Sequence, residues 1–204
     1  MNLFDILRQH VATQPNAIAS RSSRRVVTYR KFWSRIERAT ARLMAEWQVK
    51  PGDIVVYCGQ GHQDALMLYI AVARCGARLL PLEHHEDLAI LQEIPAVLLL
   101  HDDELNIDLP HAIPVVSNLS SLIASRCHHA PAVTEDIDRT SLLTLAAKEN
   151  GVQQMSEKNV HQLVKQEVQD ATRNFHITSA LFDTDIFSPQ VLPVLVAGGT
   201  VVFR

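Results

Sequence analysis

The chain has 204 residues, of which 47% are apolar and 20% charged, with a formal net charge of −3. This composition excludes disorder, collagen and coiled coil as the main state, and it suits one large domain with a sizeable core. Near-neutral charge leaves no electrostatic footprint for nucleic acid or an anionic membrane, and no apolar run reaches the roughly 18 residues of a membrane helix. Asp5 interrupts the apolar start, which therefore does not match a signal peptide. Cys58, Cys75 and Cys127 are too few and too widely spaced for a disulfide framework, and they point to a reducing, cytoplasmic setting. Seven glycines are few for a chain that wraps phosphates in backbone amides.

In chain order, Leu3, Phe4, Ile6, Leu7 and Val11 predict a short amphipathic helix, ended by Pro15-Asn16. Strands are predicted over 17–20 and 25–29. Thr28 is placed to cap a long helix to Trp47, with Phe32, Ile36, Ala39 and Leu43 on its apolar face. Val49 to Asp53 forms a turn, and the unbroken apolar run Ile54 to Cys58 predicts a buried parallel strand. A helix from Gln63 to Cys75 follows, closed by Gly76, and then a strand from Arg78 to Pro81. Strand, helix and strand at this spacing form a βαβ unit. The pattern continues with a helix over 87–94 and strands over 96–100 and 114–117. Asp102, Asp103, Glu104 and Asp108 are expected in a solvated loop. A connector spans 128–139, and 141–146 is apolar again. Helices are expected over 156–171, capped by Ser156, and over 185–197 with a break at Pro193; strands are expected over 177–181 and 200–203.

Most polar clusters have a structural explanation. Neither the pairs His84-His85 and His128-His129 nor the lone His101 have metal-ligand spacing. Cys58 and Cys75 sit in apolar context as buried thiols. Arg21, Arg24, Arg25, Arg30, Lys31, Arg35, Arg38 and Arg42 form a basic cluster, read here as a solvated face rather than a site for an acidic partner.

Several segments, taken together, resemble adenylate-forming enzymes: acyl-CoA synthetases, luciferase-like ligases and the adenylation domains of nonribosomal peptide synthetases. They are Val27-Thr28-Tyr29-Arg30-Lys31-Phe32, Val49-Lys50-Pro51-Gly52-Asp53-Ile54, Ala71 to Ala77 with Leu80-Pro81-Leu82, Phe182 to Phe187, and Leu195 to Val202. The resemblance runs in order along essentially the whole chain. It implies an α/β fold, a mostly parallel sheet flanked by helices, equivalent to the N-terminal part of that family's large domain. One domain over 1–204 is expected, divisible into an N-terminal unit (1–130) and a phosphate-loop unit (140–204).

The chain departs from the family at the phosphate loop. The family places a Ser/Thr/Gly-rich segment ending in Pro-Lys-Gly there, whose amides and hydroxyls hold ATP phosphates. Here the matching stretch is Thr144 to Gly151, about two residues shorter, with one glycine and with Glu149 added. Thr144, Lys148 and Gly151 are its remnants, and Lys148 beside Glu149 has the character of an ordinary solvated lysine. The resemblance also implies a substrate-pocket remnant at Asp183 and Phe187, an Asp there holding a substrate ammonium in amino-acid-activating members. Capping preference alone also accounts for an Asp at such a junction, and is the stronger of the two readings. The family's adenine pocket, ribose-binding Asp and catalytic Lys have no counterpart in the sequence.

The resulting expectation is a catalytically inactive adenylation-type domain serving as a structural or binding component of an acid-activating biosynthetic system. Alternatives are the N-terminal half of a split or longer ligase, or a small-molecule binder. The resembled family uses ATP and Mg; no cofactor is expected for this chain alone. A homo-oligomer or a biosynthetic partner enzyme is expected, because the β-branched and aromatic strand Thr200 to Phe203 would leave an apolar surface and an open edge to cover.

Overall fold

A computed structural model describes residues 2–102, 115–116, 118–124, 142–149, 152–158, 174–183 and 186–204. Helix α1 (Leu3–Thr13) starts at a reciprocal cap: the Asp5 N–H donates to Asn2 Oδ1 at 2.8 Å, and the Asn2 N–H donates to the Asp5 carboxylate. Strands β1 (Ile18–Arg21) and β2 (Val26–Thr28) form an antiparallel hairpin. Helix α2 (Tyr29–Glu46) follows, capped by the Thr28 side chain and burying Phe32, Trp33, Ile36, Ala39 and Leu43. The order continues with β3 (Ile54–Cys58), α3 (Gln63–Arg74), β4 (Arg78–Leu82), a 3-10 helix (His85–Gln92), β5 (Ala96–His101), β6 (Val115–Val116) and α4 (Leu119–Ala124). Beyond these come β7 (Leu142–Glu149), β8 (Val152–Lys158), β9 (Asn174–His176), a π-helical turn (Phe187–Val191), α5 (Leu192–Val196) and β10 (Thr200–Val202).

The strands form two sheets rather than one. The larger runs β6-β5-β3-β4-β7-β8, parallel throughout except for the antiparallel pair β7-β8. The smaller runs β2-β1-β10-β9, with β10 parallel to both neighbours. Every residue of β3 is buried, as its unbroken apolar run requires. Val55 and Tyr57 face the main core with α2 and α3. Ile54, Val56 and Cys58 face a second core closed by Leu88, Ile90 and Leu91 of the 3-10 helix. Helix α3 is buried along its whole length and shares the main core with Ala19, Val27 and Val201 of the smaller sheet. Gly76 ends α3 with a φ of 69°, a conformation that side chains disfavour. Cys58 and Cys75 are buried, and burial pushes their thiols up to about 11 and about 12.

Several elements differ from the sequence expectation. Residues 152–158 are a strand, so Ser156 pairs with Thr144 rather than capping; the rest of the expected helix, 159–171, lies outside the described residues. Two residues, Asn150-Gly151, separate the paired Glu149 and Val152; that dipeptide is the strongest short hairpin signal, and it outweighs the weaker cap signal of a serine. The strand expected over 177–181 lies earlier, at Asn174–His176, because the chain leaves the ladder after Ile177 donates to Val202. The helix expected over 185–197 is a π-helical turn followed by one short α-helix, with Pro193 in its first turn, where a missing N–H costs no intrahelical bond. The helix over 87–94 is a 3-10 helix two residues earlier. Helix α4 had no expectation attached to it. Among the described residues, no helix is long and apolar enough to cross a membrane.

Candidate functional site

A cavity of about 810 Å³ opens where several parallel strands end. Its wall includes Gly59 to His62 after β3, Leu82 to His84 after β4, Ile177 to Asp183 after β9, and Phe203-Arg204 after β10. The carboxyl ends of parallel strands are where open α/β sheets place ligands, and this volume suits a small molecule.

The β3–α3 loop forms one wall and is held by a buried polar network. Tyr57 donates its hydroxyl to Asp102 Oδ2 at 2.8 Å, and the Gln60 N–H donates to the same oxygen at 3.2 Å. The Gly61 N–H donates to the Tyr57 hydroxyl at 3.3 Å. His62 Nε2 meets Asp102 Oδ1 at 2.8 Å, while His62 Nδ1 accepts the Asp64 N–H at 3.1 Å and so caps α3. In the neutral ring, accepting at Nδ1 fixes the tautomer, so Nε2 carries the proton and donates to Asp102. Both ring nitrogens are committed, which makes His62 a strut rather than a base facing the cavity. Burial opposes its charge, but the hydrogen bond and charge of Asp102 outweigh this and raise its pKa. For Asp102, burial acts against the carboxylate, and the donors His62, Tyr57 and Gln60 prevail to hold its pKa below the ordinary value. Burial and the neighbouring Asp102 charge push the Tyr57 phenol well up, so it stays a donor. Gly59 leaves no room for a side chain, since a Cβ would collide with Asp102 and the Tyr57 ring.

A second network locks the start of α3. Asp64 is 1% exposed and receives both terminal nitrogens of Arg25 and the Ser120 hydroxyl. Gln63 beside it accepts from Ser22 Oγ and Arg25 Nε at 3.1 and 3.2 Å and donates to Ser20 Oγ at 3.1 Å.

The site residues expected from the sequence are not all gathered here. Asp183 lies on the cavity wall and is exposed; its carbonyl accepts the Ile186 and Phe187 N–H groups at 3.0 and 2.8 Å. Phe187 is fully buried in the core, edge-on to Tyr69 at 4.7 Å and tilted against Phe182 at 5.1 Å. Thr144 and Lys148 stand in β7, paired with Ser156 and Gln153, and Gly151 lies outside the described residues. Asp102, expected in a solvated loop, is instead the acceptor at the centre of the first network; Asp103, Glu104 and Asp108 lie outside the described residues. The basic face is also less uniform than expected, because Arg25 turns inward to Asp64. The histidines His84, His85 and His101 do not converge; among the described residues no three His, Cys, Asp or Glu side chains gather as a metal site. His62, Asp102 and Tyr57 were missed as site residues. The available signal was the pair Gly59 and Gly61, two of seven glycines placed together at a strand-to-helix junction.

The architecture is an α/β domain with the fold of the N-terminal subdomain of adenylate-forming enzymes. Residues 7–105 match the model of the AMP-binding enzyme family. The D-alanine--D-alanyl carrier protein ligase of Bacillus licheniformis is 27% identical over 119 residues, which cover 55% of this chain and 23% of that protein. The N-terminal subdomain of Klebsiella oxytoca NpsA, solved with 3-hydroxybenzoyl-AMSN, superposes with a TM-score of 0.80 at 16% identity, covering 100% of this chain and 53% of that one. The o-succinylbenzoate coenzyme A synthetase of Bacillus subtilis, solved with AMP, superposes with a TM-score of 0.79 at 20% identity, covering 98% of this chain and 55% of that one. The chain thus spans about a quarter of the length of that curated relative and about half of these solved chains.

Proposed function

We propose that this chain is an adenylation-type domain that does not itself form acyl-adenylates. In this reading it serves as a structural or binding component of an acid-activating system, and its cavity takes a small carboxylic or amino acid. The observation that carries the reading is the β7–β8 hairpin. Where the resembled family has a phosphate-binding loop, the strands stay paired to Lys148↔Gln153 and Glu149↔Val152. Ladder pairing commits backbone N–H groups that a phosphate cradle needs free and convergent. Electrostatic stabilisation of the transferring group is usually the largest catalytic contribution, so losing its donors removes the chemistry first. The test is substrate-dependent exchange of labelled pyrophosphate into ATP by the purified protein. Background exchange is expected; turnover above background overturns the proposal. A thermal-shift screen with amino, aryl and fatty acids checks the cavity, where a saturable rise is expected with at least one class.

A second reading is the N-terminal half of a split or longer ligase that activates a carboxylic or amino acid with ATP. It is favoured by the chain's match to 53% and 55% of the solved enzyme chains. In that reading Asp183, on the cavity wall, holds the ammonium of an amino acid. An adjacent reading frame carrying the remainder, and exchange activity on co-expression, would decide for it over the first.

A further inference from the structure

Charge in this molecule is segregated. Residues 21–42 hold eight cations and one carboxylate, a formal +7 in a chain of net −3, so the other residues carry −10. The structure sorts these cations. Arg25 is spent on Asp64, and Arg42 on Glu46 at 2.7 Å. Arg38 and Arg42 donate to the Ala124 and Leu122 carbonyls at the end of α4. Arg21, Arg24, Arg30 and Lys31 are exposed and have no ion-pair partner among the described residues. Lys31, Arg35, Arg38 and Arg42 fall at i, i+4, i+7 and i+11, one face of α2 running about 16 Å.

Two further observations mark this surface. Burial, then the charges of Arg25 and Arg38, lower the pKa of Arg35 against the opposing charge of Asp64, and its buried Nη1 has no hydrogen-bond partner. A buried guanidinium nitrogen without an acceptor is an unmet hydrogen bond at the edge of this basic face. Strands β1 and β2 both contact α2, and β2 runs straight into it at Thr28, which joins the hairpin and the start of α2 in one region. Within it lies Val26, 48% exposed and the one exposed large apolar side chain among the described residues. It stands on β2, the edge strand of the smaller sheet.

We propose that this face, built from the β1–β2 hairpin and the first three turns of α2, docks an acidic segment of a partner protein. Val26 is the apolar anchor, and Arg24, Arg30, Lys31 and Arg35 are the cations of the same hairpin and helix start. An apolar centre within a charged rim is the anatomy of a protein interface. A long polyanion, nucleic acid or anionic bilayer, extends past the patch, on a molecule whose other residues sum to −10. A compact acidic segment does not. Arginine supplies most of the cations, and its forked donors pair carboxylates two at a time. This inference is independent of the cavity and of whether the chain is catalytic.

The probe is a labelled, glutamate-rich peptide carrying two valines, titrated against the full chain by fluorescence anisotropy. Single-stranded DNA of equal charge and vesicles of phosphatidylcholine with phosphatidylserine run in parallel. Saturable peptide binding is expected, weakening as salt shortens the reach of the charges. The triple variant Arg24→Glu, Arg30→Glu, Lys31→Glu should lose about tenfold or more in affinity, in keeping with three exposed charge contacts. Val26→Asp should lose several-fold. All four positions are exposed, so the melting temperature should stay within a few degrees, which separates lost docking from lost folding. Absence of saturable binding, an unchanged affinity in the triple variant, or tighter binding of the DNA or vesicles overturns the proposal.

Discussion

Asp102→Ala tests the network that holds the cavity wall. The substitution removes one acceptor shared by Tyr57, Gln60 and His62. The three donors are not equally affected. The Gln60 N–H is exposed and turns to water, so its loss costs little. The His62 side chain is 38% exposed and likewise finds water. The Tyr57 residue is fully buried, and a buried donor stripped of a charged acceptor costs about 1–3 kcal/mol. With a smaller contribution from His62, the total is about 2–3 kcal/mol. For a chain of this size that is a fall of about 5–10 °C in melting temperature. Thermal and urea denaturation measure it, and Tyr57→Phe combined with Asp102→Ala isolates the Tyr57 part. In the double variant the buried hydroxyl is gone, and only the part-buried Gly61 N–H loses its acceptor, so it should recover part of the loss. A fall below about 1 kcal/mol, or no recovery in the double variant, would refute the assignment of Asp102 as the centre of this network.

Other outcomes follow from the same contacts. Gly59→Ala should destabilise by about 1–3 kcal/mol, because the added methyl displaces either Asp102 or the Tyr57 ring; calorimetric melting reads it. Asp64→Ala should cost about 3 kcal/mol by leaving Arg25 and Ser120 without their acceptor, whereas Arg24→Ala, on an exposed turn, should be near neutral by the same assay. The His62–Asp102 pair gives a pH window. The raised His62 pKa means its contribution is full below the ordinary histidine value near 6.5 and fades as pH rises through the folded value. The lowered Asp102 pKa means its contribution is full above 3.8 and fades as pH falls through the folded value. Urea midpoints across pH should therefore show His62→Gln flattening the upper limb and Asp102→Asn flattening both.

Much of the fold is legible because it rests on local signals. The apolar run Ile54 to Cys58 could only be a strand covered on both faces, and Thr28 and Gly76 punctuate α2 and α3 where the chain needs a cap and a left-handed turn. The first network is hidden for the opposite reason. Asp102 lies among other acids in sequence and so looks solvated, while its partners Tyr57 and His62 are 45 and 40 residues away. No periodicity or cap preference reports contacts at that separation. Arg25 disguises itself similarly: five neighbouring cations make it look like one of a solvated group, and only the fold delivers Asp64 to it. For β8 the signals conflicted. Ser156 has the chemistry of a helix cap, but its strand partner in β7, anchored through the pair Leu79↔Leu142 to β4, decides the outcome.

That anchoring also predicts how separable the β7–β8 tip is from the rest of the fold. The pairs Leu142↔Lys158 to Leu145↔Met155 are in one register, and Lys148↔Gln153 and Glu149↔Val152 are in another, with one extra residue on β7 between them. Leu142 and Leu143 are buried, in the main and the second core respectively. The base is therefore fixed by packing, while the tip beyond the bulge is fixed by its own two pairs. Replacing residues 146–153 with a longer glycine- and serine-rich loop should release those pairs. Each net ladder hydrogen bond contributes about 1 kcal/mol. The freed residues regain about 1–2 kcal/mol each of conformational entropy, and each doubling of loop length costs only about 0.6 kcal/mol. These terms nearly cancel, so the variant should lose no more than about 1–2 kcal/mol and melt in a single transition. If so, the departure from the resembled family is confined to a tip the scaffold does not depend on, and a phosphate loop can be grafted there to ask whether the scaffold still supports ATP binding. Unfolding of the variant, or a second transition on melting, would instead mean that the tip pairs hold the sheet edge together, and that the loop could not have been lost without the hairpin that replaced it.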